Sequence, residues 1–275
     1  MWTVPIPACS ADEAYQTCIS RVRDQDLKRR LEGAREEIRR VDVSYRKAGI
    51  DRDFSELRPE SCGVARVSAE EMMRVYNGRM AAHGSPGRAI YDAIKVCSPD
   101  GLCPLCGQRV VATLDHYLPK SRYAALAVNP ANLIPACSDC NKAKSDAVED
   151  TLHPYYDNIE NDLWLRAELR EVRPASARFF ADPPAAWTST LAERVTRHFK
   201  TFGLNKLYAV HAAQELSGMQ WQLSKLASTG NAKLVRPYLT DRAESWRAVH
   251  LNSWHVALYD CLASSDWFCS GGFRI

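Results

Sequence analysis

Two Cys-x-x-Cys pairs constrain this chain more than any other feature: Cys103-Pro-Leu-Cys106 and Cys137-Ser-Asp-Cys140, with thirty residues between them. Zinc prefers four soft or borderline ligands in a tetrahedron, and each pair delivers two thiolates on one tight turn. Gly101 and Gly107 flank the first pair and let it turn. A disulfide framework, the other use of ten cysteines, belongs to short secreted chains. This chain has 275 residues and opens Met-Trp-Thr-Val-Pro-Ile-Pro, without a basic start or an apolar export segment. No stretch approaches about eighteen uninterrupted apolar residues, so no membrane insertion is expected. The expected compartment is the reducing cytoplasm, where paired knuckles mean metal. Four thiolates leave no open coordination position, so the predicted Zn²⁺ is structural. Cys9, Cys18, Cys62, Cys97, Cys261 and Cys269 are scattered singly and read as small buried hydrophobes.

Around this staple the chain reads as mainly helical. Ser10-Ala-Asp-Glu13 and Ser68-Ala-Glu-Glu71 are capping boxes. From Tyr15 to Tyr45 apolar residues recur at three- and four-residue steps, predicting one long amphipathic helix or two broken near Gly33. Ser85-Pro86 predicts an N-cap and first helical residue. After Cys103 the period changes: Val110, Val111 and Thr113 lead into Asp115-His116 as a short hairpin, 130–135 reads as irregular, and Asn141 begins a helix-forming run. Residues 163–169 are strand-like, and helices are predicted over 187–202, 205–228 and 240–264, the last two separated by a 228–231 turn and Pro237. Trp187, Trp221, Trp246 and Trp254 are expected as core anchors, and the histidines outside the central segment as packing or surface residues. The fold expected is mainly α with a small α+β insert: a helical region over 1–99, a zinc-stapled core over 100–157 and a second helical region over 158–275. A net charge of +3 excludes a bulk polycation, so nucleic-acid affinity must come from a local patch.

The residues between and beside the knuckles carry the chemistry. Asp115-His116 sits in Leu-Asp-His-Tyr-Leu-Pro-Lys-Ser; Asn132 and Asn141 lie in Asn-Leu-Ile-Pro-Ala-Cys-Ser-Asp-Cys-Asn-Lys-Ala-Lys-Ser; His-Pro-Tyr-Tyr-Asp follows at 153–157. Imidazole titrates near neutral pH, which suits His116 as a general base. The Asp115 carboxylate and the Asn141 amide are hard oxygen donors of the kind Mg²⁺ or Mn²⁺ takes. Lys120, Arg122, Lys142 and Lys144 cluster around the same loop as candidate phosphate contacts. This string resembles the HNH (ββα-metal) endonucleases, and is similar to HNH nucleases of bacterial anti-phage systems of the Septu and Zorya type. The resemblance implies a ββα-metal core stapled by four cysteines, with His116 as catalytic base. It also implies Asp115 and Asn141 as ligands of a catalytic Mg²⁺ or Mn²⁺, and an Asn132 that orients the His116 loop without touching metal. His153 is left between bracing the residues that do the chemistry, contact with substrate, and a purely structural place. A further metal-binding histidine of some family members is here Ser145, a departure that favours Mg²⁺ over softer ions. The expected function is a metal-dependent DNA endonuclease or nickase in anti-phage defence. Its implied partner is a product of the same defence operon, an ATPase or membrane-motor component. The competing readings are a non-catalytic zinc module that binds nucleic acid or protein, and an HNH-type RNase. The N-terminal arginines are interleaved with acids, so the helical flanks are expected to regulate or dock rather than grip DNA tightly.

Overall fold

The computed structural model describes residues 1–146, 148, 150–228 and 232–274. They form two compact units, Met1–Asn158 and Ile159–Ile275. The helical segment over 1–99 and the knuckle segment over 100–157, expected as separate regions, share the first unit.

Both capping boxes close as the sequence requires. Ser10 starts α1 (Ala11–Ile19) and Ser68 starts α4 (Ala69–Val75), each with the reciprocal glutamate bond. The predicted long helix is three: α1, α2 (Gln25–Gly33) and α3 (Arg35–Asp51). The break near Gly33 is joined by an earlier one, because Asp24 caps α2 by accepting from Leu27 N at 3.0 Å. Ile38, Val41, Tyr45 and Gly49 form the buried stripe of α3. Gly49 lets that helix close on the 153–157 segment: a Cβ there would stand 2.4 Å from the Tyr156 ring. After α4 the backbone widens into a π-helical turn, Tyr76–Ala81. The next helix, α5 (Arg88–Val96), starts later than the Ser85-Pro86 reading, with Gly87 as its N-cap; the Ser85 hydroxyl donates to Met80 O instead.

The hairpin expected around Thr113 is instead a long-range pair. β1 (Thr113–His116) runs antiparallel to β2 (Leu133–Ala136), with Asp115 opposite Ile134 and His116 opposite Leu133. Residues 133–135, read as irregular, are therefore strand. Pro135 is tolerated because a two-stranded ribbon has an outer edge that needs no N–H donor. A short helix, α6 (Ser138–Lys144), follows and packs against β1. It stops at Ser145, whose φ of 50° and ψ of −138° are non-helical.

In the second unit, the strand-like 163–169 run is β3 (Leu165–Arg170), paired with β4 (Ser176–Ala181), a strand not foreseen. The helices are α7 (Ser189–Thr201), α8 (Leu204–Ser228), α9 (Val235–Arg247) and α10 (Trp254–Ser264). The single helix predicted over 240–264 is thus two, and Pro237 lies in the first turn of α9, where its missing N–H costs nothing. The turn placed at 228–231 falls mostly outside the described residues. β3 and β4 pack on α10 and α8 around Trp164, Phe179 and Leu258, all at or below 1 % exposure. His255 lies stacked between Trp246 and Trp254, at 3.6 and 3.7 Å between ring centres. Trp221 departs from the expected core role: it is 69 % exposed, with Lys225 over its ring.

Candidate active site

The four knuckle cysteines converge. Their sulfurs lie within 4.8 Å of one another and all four residues are buried. A tetrahedral Zn–S distance of about 2.3 Å requires sulfurs about 3.8 Å apart, and the cluster, with its sulfurs within 4.8 Å, is compatible with zinc. Four thiolates at this spacing repel unless a cation lies among them. The first knuckle is closed by Cys103 N donating to Arg109 O at 2.7 Å and Gly107 N to Cys103 O at 2.7 Å. Gly107 has φ 63°, and Trp2 covers it so closely that a Cβ would meet the indole at 3.1 Å. The second knuckle opens α6, with Cys140 N donating to Cys137 Sγ at 3.3 Å. Arg109 pairs with Asp139 at 2.9 Å and ties the two knuckles together. Asn141 follows Cys140 directly, so the cluster fixes where α6 presents it.

On β1, Asp115 and His116 are 3 % and 6 % exposed. His116 Nε2 lies 2.8 Å from the Ala127 carbonyl. A carbonyl only accepts, so Nε2 carries the proton and Nδ1 keeps its lone pair. Burial, with Lys120 and Lys144 nearby, pushes the imidazole down to about 3, so it is neutral at physiological pH. Burial acts oppositely on Asp115, raising its carboxyl to about 6 against the pull of Lys144. Asp115 Oδ2 is buried and makes no hydrogen bond among the described residues. Its ion-pair partner is Lys144 Nζ, at 3.4 Å. A buried carboxylate oxygen with this much unused accepting capacity fits a hard cation; Asn141, expected as a second oxygen donor, is half-buried midway along α6.

Asn132 braces the loop between them. Its Oδ1 accepts from Leu118 N at 2.8 Å, while its Nδ2 donates to Leu118 O at 2.9 Å and Leu126 O at 3.3 Å. Lys120 is half-buried, and Arg122 and Lys142 are exposed, so these three are open to a phosphate. Lys144, grouped with them on sequence, is placed differently. It is 1 % exposed, and its ammonium donates to the His116 carbonyl at 2.6 Å as well as pairing with Asp115. A lysine at the end of a seven-residue helix that leans on β1 turns inward because the buried carboxylate draws it. His153 is also fully buried, away from solvent contact with substrate. Its Nδ1 accepts from Tyr155 N at 3.2 Å, so Nε2 is the protonated nitrogen and donates to the Tyr45 hydroxyl at 3.0 Å. Rings of Tyr45, Phe54, Tyr117, Tyr155 and Tyr156 surround it.

Two neighbours of the site had no sequence signal. Tyr76, the first residue of the π-helical turn, meets the His116 ring edge-on at 4.4 Å and carries the Lys120 ammonium 5.1 Å over its face. Asn129 reaches from the Asn132 turn to Asp42 of α3, at 3.0 Å. The widening of the helix at Tyr76 was the one available clue, since such turns gather at functional sites, and it is invisible in composition.

Comparison with known proteins follows the same segment. No solved structure matches the chain. "Protein ea31" of Escherichia phage lambda is 27 % identical over 235 residues, covering 78 % of this chain and 79 % of that protein. The family model described as HNH endonuclease matches residues 103–147, from the first knuckle through α6.

Proposed function

We propose that this protein is a metal-dependent endonuclease that hydrolyses DNA phosphodiester bonds at the Asp115–His116 strand. The observation that carries the reading is the tautomer of His116. The imidazole is neutral, its Nε2 proton is committed to Ala127, and its Nδ1 keeps its lone pair one residue along the strand from a buried carboxylate. In this reading Nδ1 takes the proton of the water that attacks phosphorus. Asp115 and Asn141 hold Mg²⁺ or Mn²⁺, which when bound neutralises charge on the phosphate and the leaving oxygen. Asn132 keeps the 117–126 loop in register, and Lys120, Arg122 and Lys142 receive the flanking phosphates. Lys144 holds the His116 carbonyl and Asp115 in place. The Cys103, Cys106, Cys137 and Cys140 zinc site does no chemistry of its own. The match to an HNH endonuclease model supports this reading over a non-catalytic zinc module, which needs no base beside a metal-binding carboxylate.

Supercoiled plasmid, linear DNA and RNA incubated with the purified chain, with and without Mg²⁺ or Mn²⁺, test it. Cation-dependent nicking of plasmid that His116→Ala abolishes is expected. Cleavage of RNA alone moves the assignment to an RNase, and no cleavage of either leaves the zinc module. Anti-phage defence, with an operon-encoded partner, rests on the motif resemblance. The phage source of the similar protein favours instead a nuclease carried by phages. Plaque counts on cells expressing the intact chain separate the two: protection supports defence, and unchanged plating supports the phage-borne role.

A further inference from the structure

The basic side chains of the first unit fall into two sets. Along α1 to α3 most are matched by acids, with Arg40 instead reaching the Ser61 carbonyl. Arg35 and Arg39 both engage Asp12, Arg30 bridges to Glu71 at 2.7 Å, Arg29 pairs with Asp26 and Arg46 with Asp42. Around the turn between α1 and α2 they are not. Arg21, Arg23, Arg79 and His83 line an open cleft of about 550 Å³ between that turn and the loop after the π-helical segment. Arg21 and Arg23 are exposed, and no carboxylate among the described residues pairs with either. Arg79 donates to the Arg21 carbonyl at 2.8 Å, which fixes its guanidinium at the cleft without neutralising it. The single acid of the lining, Asp24, is occupied in capping α2. Gly78 and Gly84 present no side chain there, and nothing lies within 4 Å of where a Cβ would be at either.

This cleft is joined to the candidate active site by one short element. The π-helical turn begins at Tyr76, whose ring meets His116 edge-on, and it carries Arg79 three residues later. Lys120, over the Tyr76 ring, adds positive charge on the His116 side of the same element. Arg21, Arg23 and Arg79 at the cleft and Lys120 over the Tyr76 ring thus place cations at both ends of one short element, an arrangement suited to an extended polyanion. Guanidinium forks match phosphate oxygens in geometry as well as charge.

We propose that the Arg21–Arg23–Arg79 cleft grips the phosphodiester backbone of the nucleic-acid strand that is presented to His116. The proposal rests on the nuclease reading and supplies its substrate grip from the N-terminal helices. It assigns gripping to the unpaired arginines of the α1–α2 turn, while the acid-matched helix faces carry none.

The test uses the full chain carrying His116→Ala to silence cleavage, with a fluorescein-labelled duplex read by anisotropy across a salt series. Adding Arg21→Glu and Arg23→Glu should weaken binding at least about 10-fold and lower the slope of log Kd against log salt by about two, because each lost phosphate contact removes about 0.9 of slope. Arg21→Lys with Arg23→Lys should keep the slope. Arg29→Glu with Arg39→Glu, an equal change of net charge on the matched face, should weaken binding far less. Equal weakening by both reversals, or unaltered binding in the first, overturns the proposal. Inorganic pyrophosphate that saturates the cleft one per chain, with no contribution to duplex binding, also overturns it, by making the cleft a small-anion site. Hydrolysis of bis(p-nitrophenyl) phosphate by the unaltered chain reports the active-site reading separately. If that hydrolysis is absent while the binding results hold, the nuclease reading fails and the grip stands.

Discussion

The sulfur cluster and the Asp115–Asn141 pair share the frame of β1, β2 and α6, and they meet in adjacent residues at Cys140 and Asn141. They are built on opposite terms. The cluster is closed, with four buried thiols and backbone turns that satisfy themselves. The proposed oxygen site is open by contrast: one buried Asp115 oxygen lacks a hydrogen bond among the described residues, the Asn141 amide lies midway along α6, and Lys144 pairs with the carboxylate. A closed site contributes to folding, whereas an open one contributes to turnover. The two should therefore fail in different ways.

The largest effect is expected at the closed site. Cys103→Ala or Cys140→Ala should yield insoluble or unfolded chain, because zinc binding is part of the folding free energy. Well-folded protein with no zinc by metal analysis would break the comparison. At the open site, His116→Ala should cost about 10²–10⁴-fold in cleavage rate with zinc content and melting temperature little changed. Wild-type cleavage by that variant rules His116 out as base. Asp115→Ala and Asn141→Ala should lose Mg²⁺-dependent activity, retain zinc and recover partly in high Mn²⁺; activity that is unchanged in either variant removes that residue from the cation site. A smaller effect comes from a packing test: Gly49→Ala pushes a methyl into the Tyr156 ring and should cost about 1–3 kcal/mol in urea denaturation.

The smallest effect sharpens the comparison through pH. The Asp115 carboxyl titrates near 6, raised by burial, and only its ionised form holds a cation. Activity should fall as pH drops through that value. Raising Mg²⁺ should move this acid limb to lower pH, since cation and proton compete for one carboxylate. A limb that ignores Mg²⁺ assigns the titration elsewhere. His116, already neutral down to about 3, contributes no limb in this range.

The parts legible in the sequence were those with local spacing. Cys-x-x-Cys fixes two ligands within one turn, and the capping boxes fix helix starts within four residues. Asp115, His116, Asn132 and Asn141 were legible as a motif, and the fold places the first two on β1 and Asn132 against the loop that follows it. The rest depended on contacts between distant segments. Lys144 looks like one more solvent-facing lysine until α6 leans on β1 and buries it against a residue 28 positions earlier, His116. Tyr76 has no motif, and its neighbour His116 reaches it only through the packing of the helical region. The strand partner of β1 was obscured by Pro130 and Pro135, which argue locally against a ladder. Arg21 and Arg23 looked no different from Arg29 or Arg39 in sequence; only the positions of the acids separate them.

The His153–Asp157 segment also determines when this unit can exist. Tyr45 bonds a partner 108 residues ahead, Val4 N bonds Pro154 O at 3.1 Å, and Gly49 waits for Tyr156. Contacts of such long sequence separation close late, because the loop they span must be ordered first. A ribosome adding about 5–20 residues per second needs several seconds after the first helices emerge to deliver residue 157. Until then the helices have no floor to settle on, so a nascent or prematurely ended chain is an unfinished scaffold rather than a loose nuclease. Synthesis order thus imposes its own delay on any activity this unit carries.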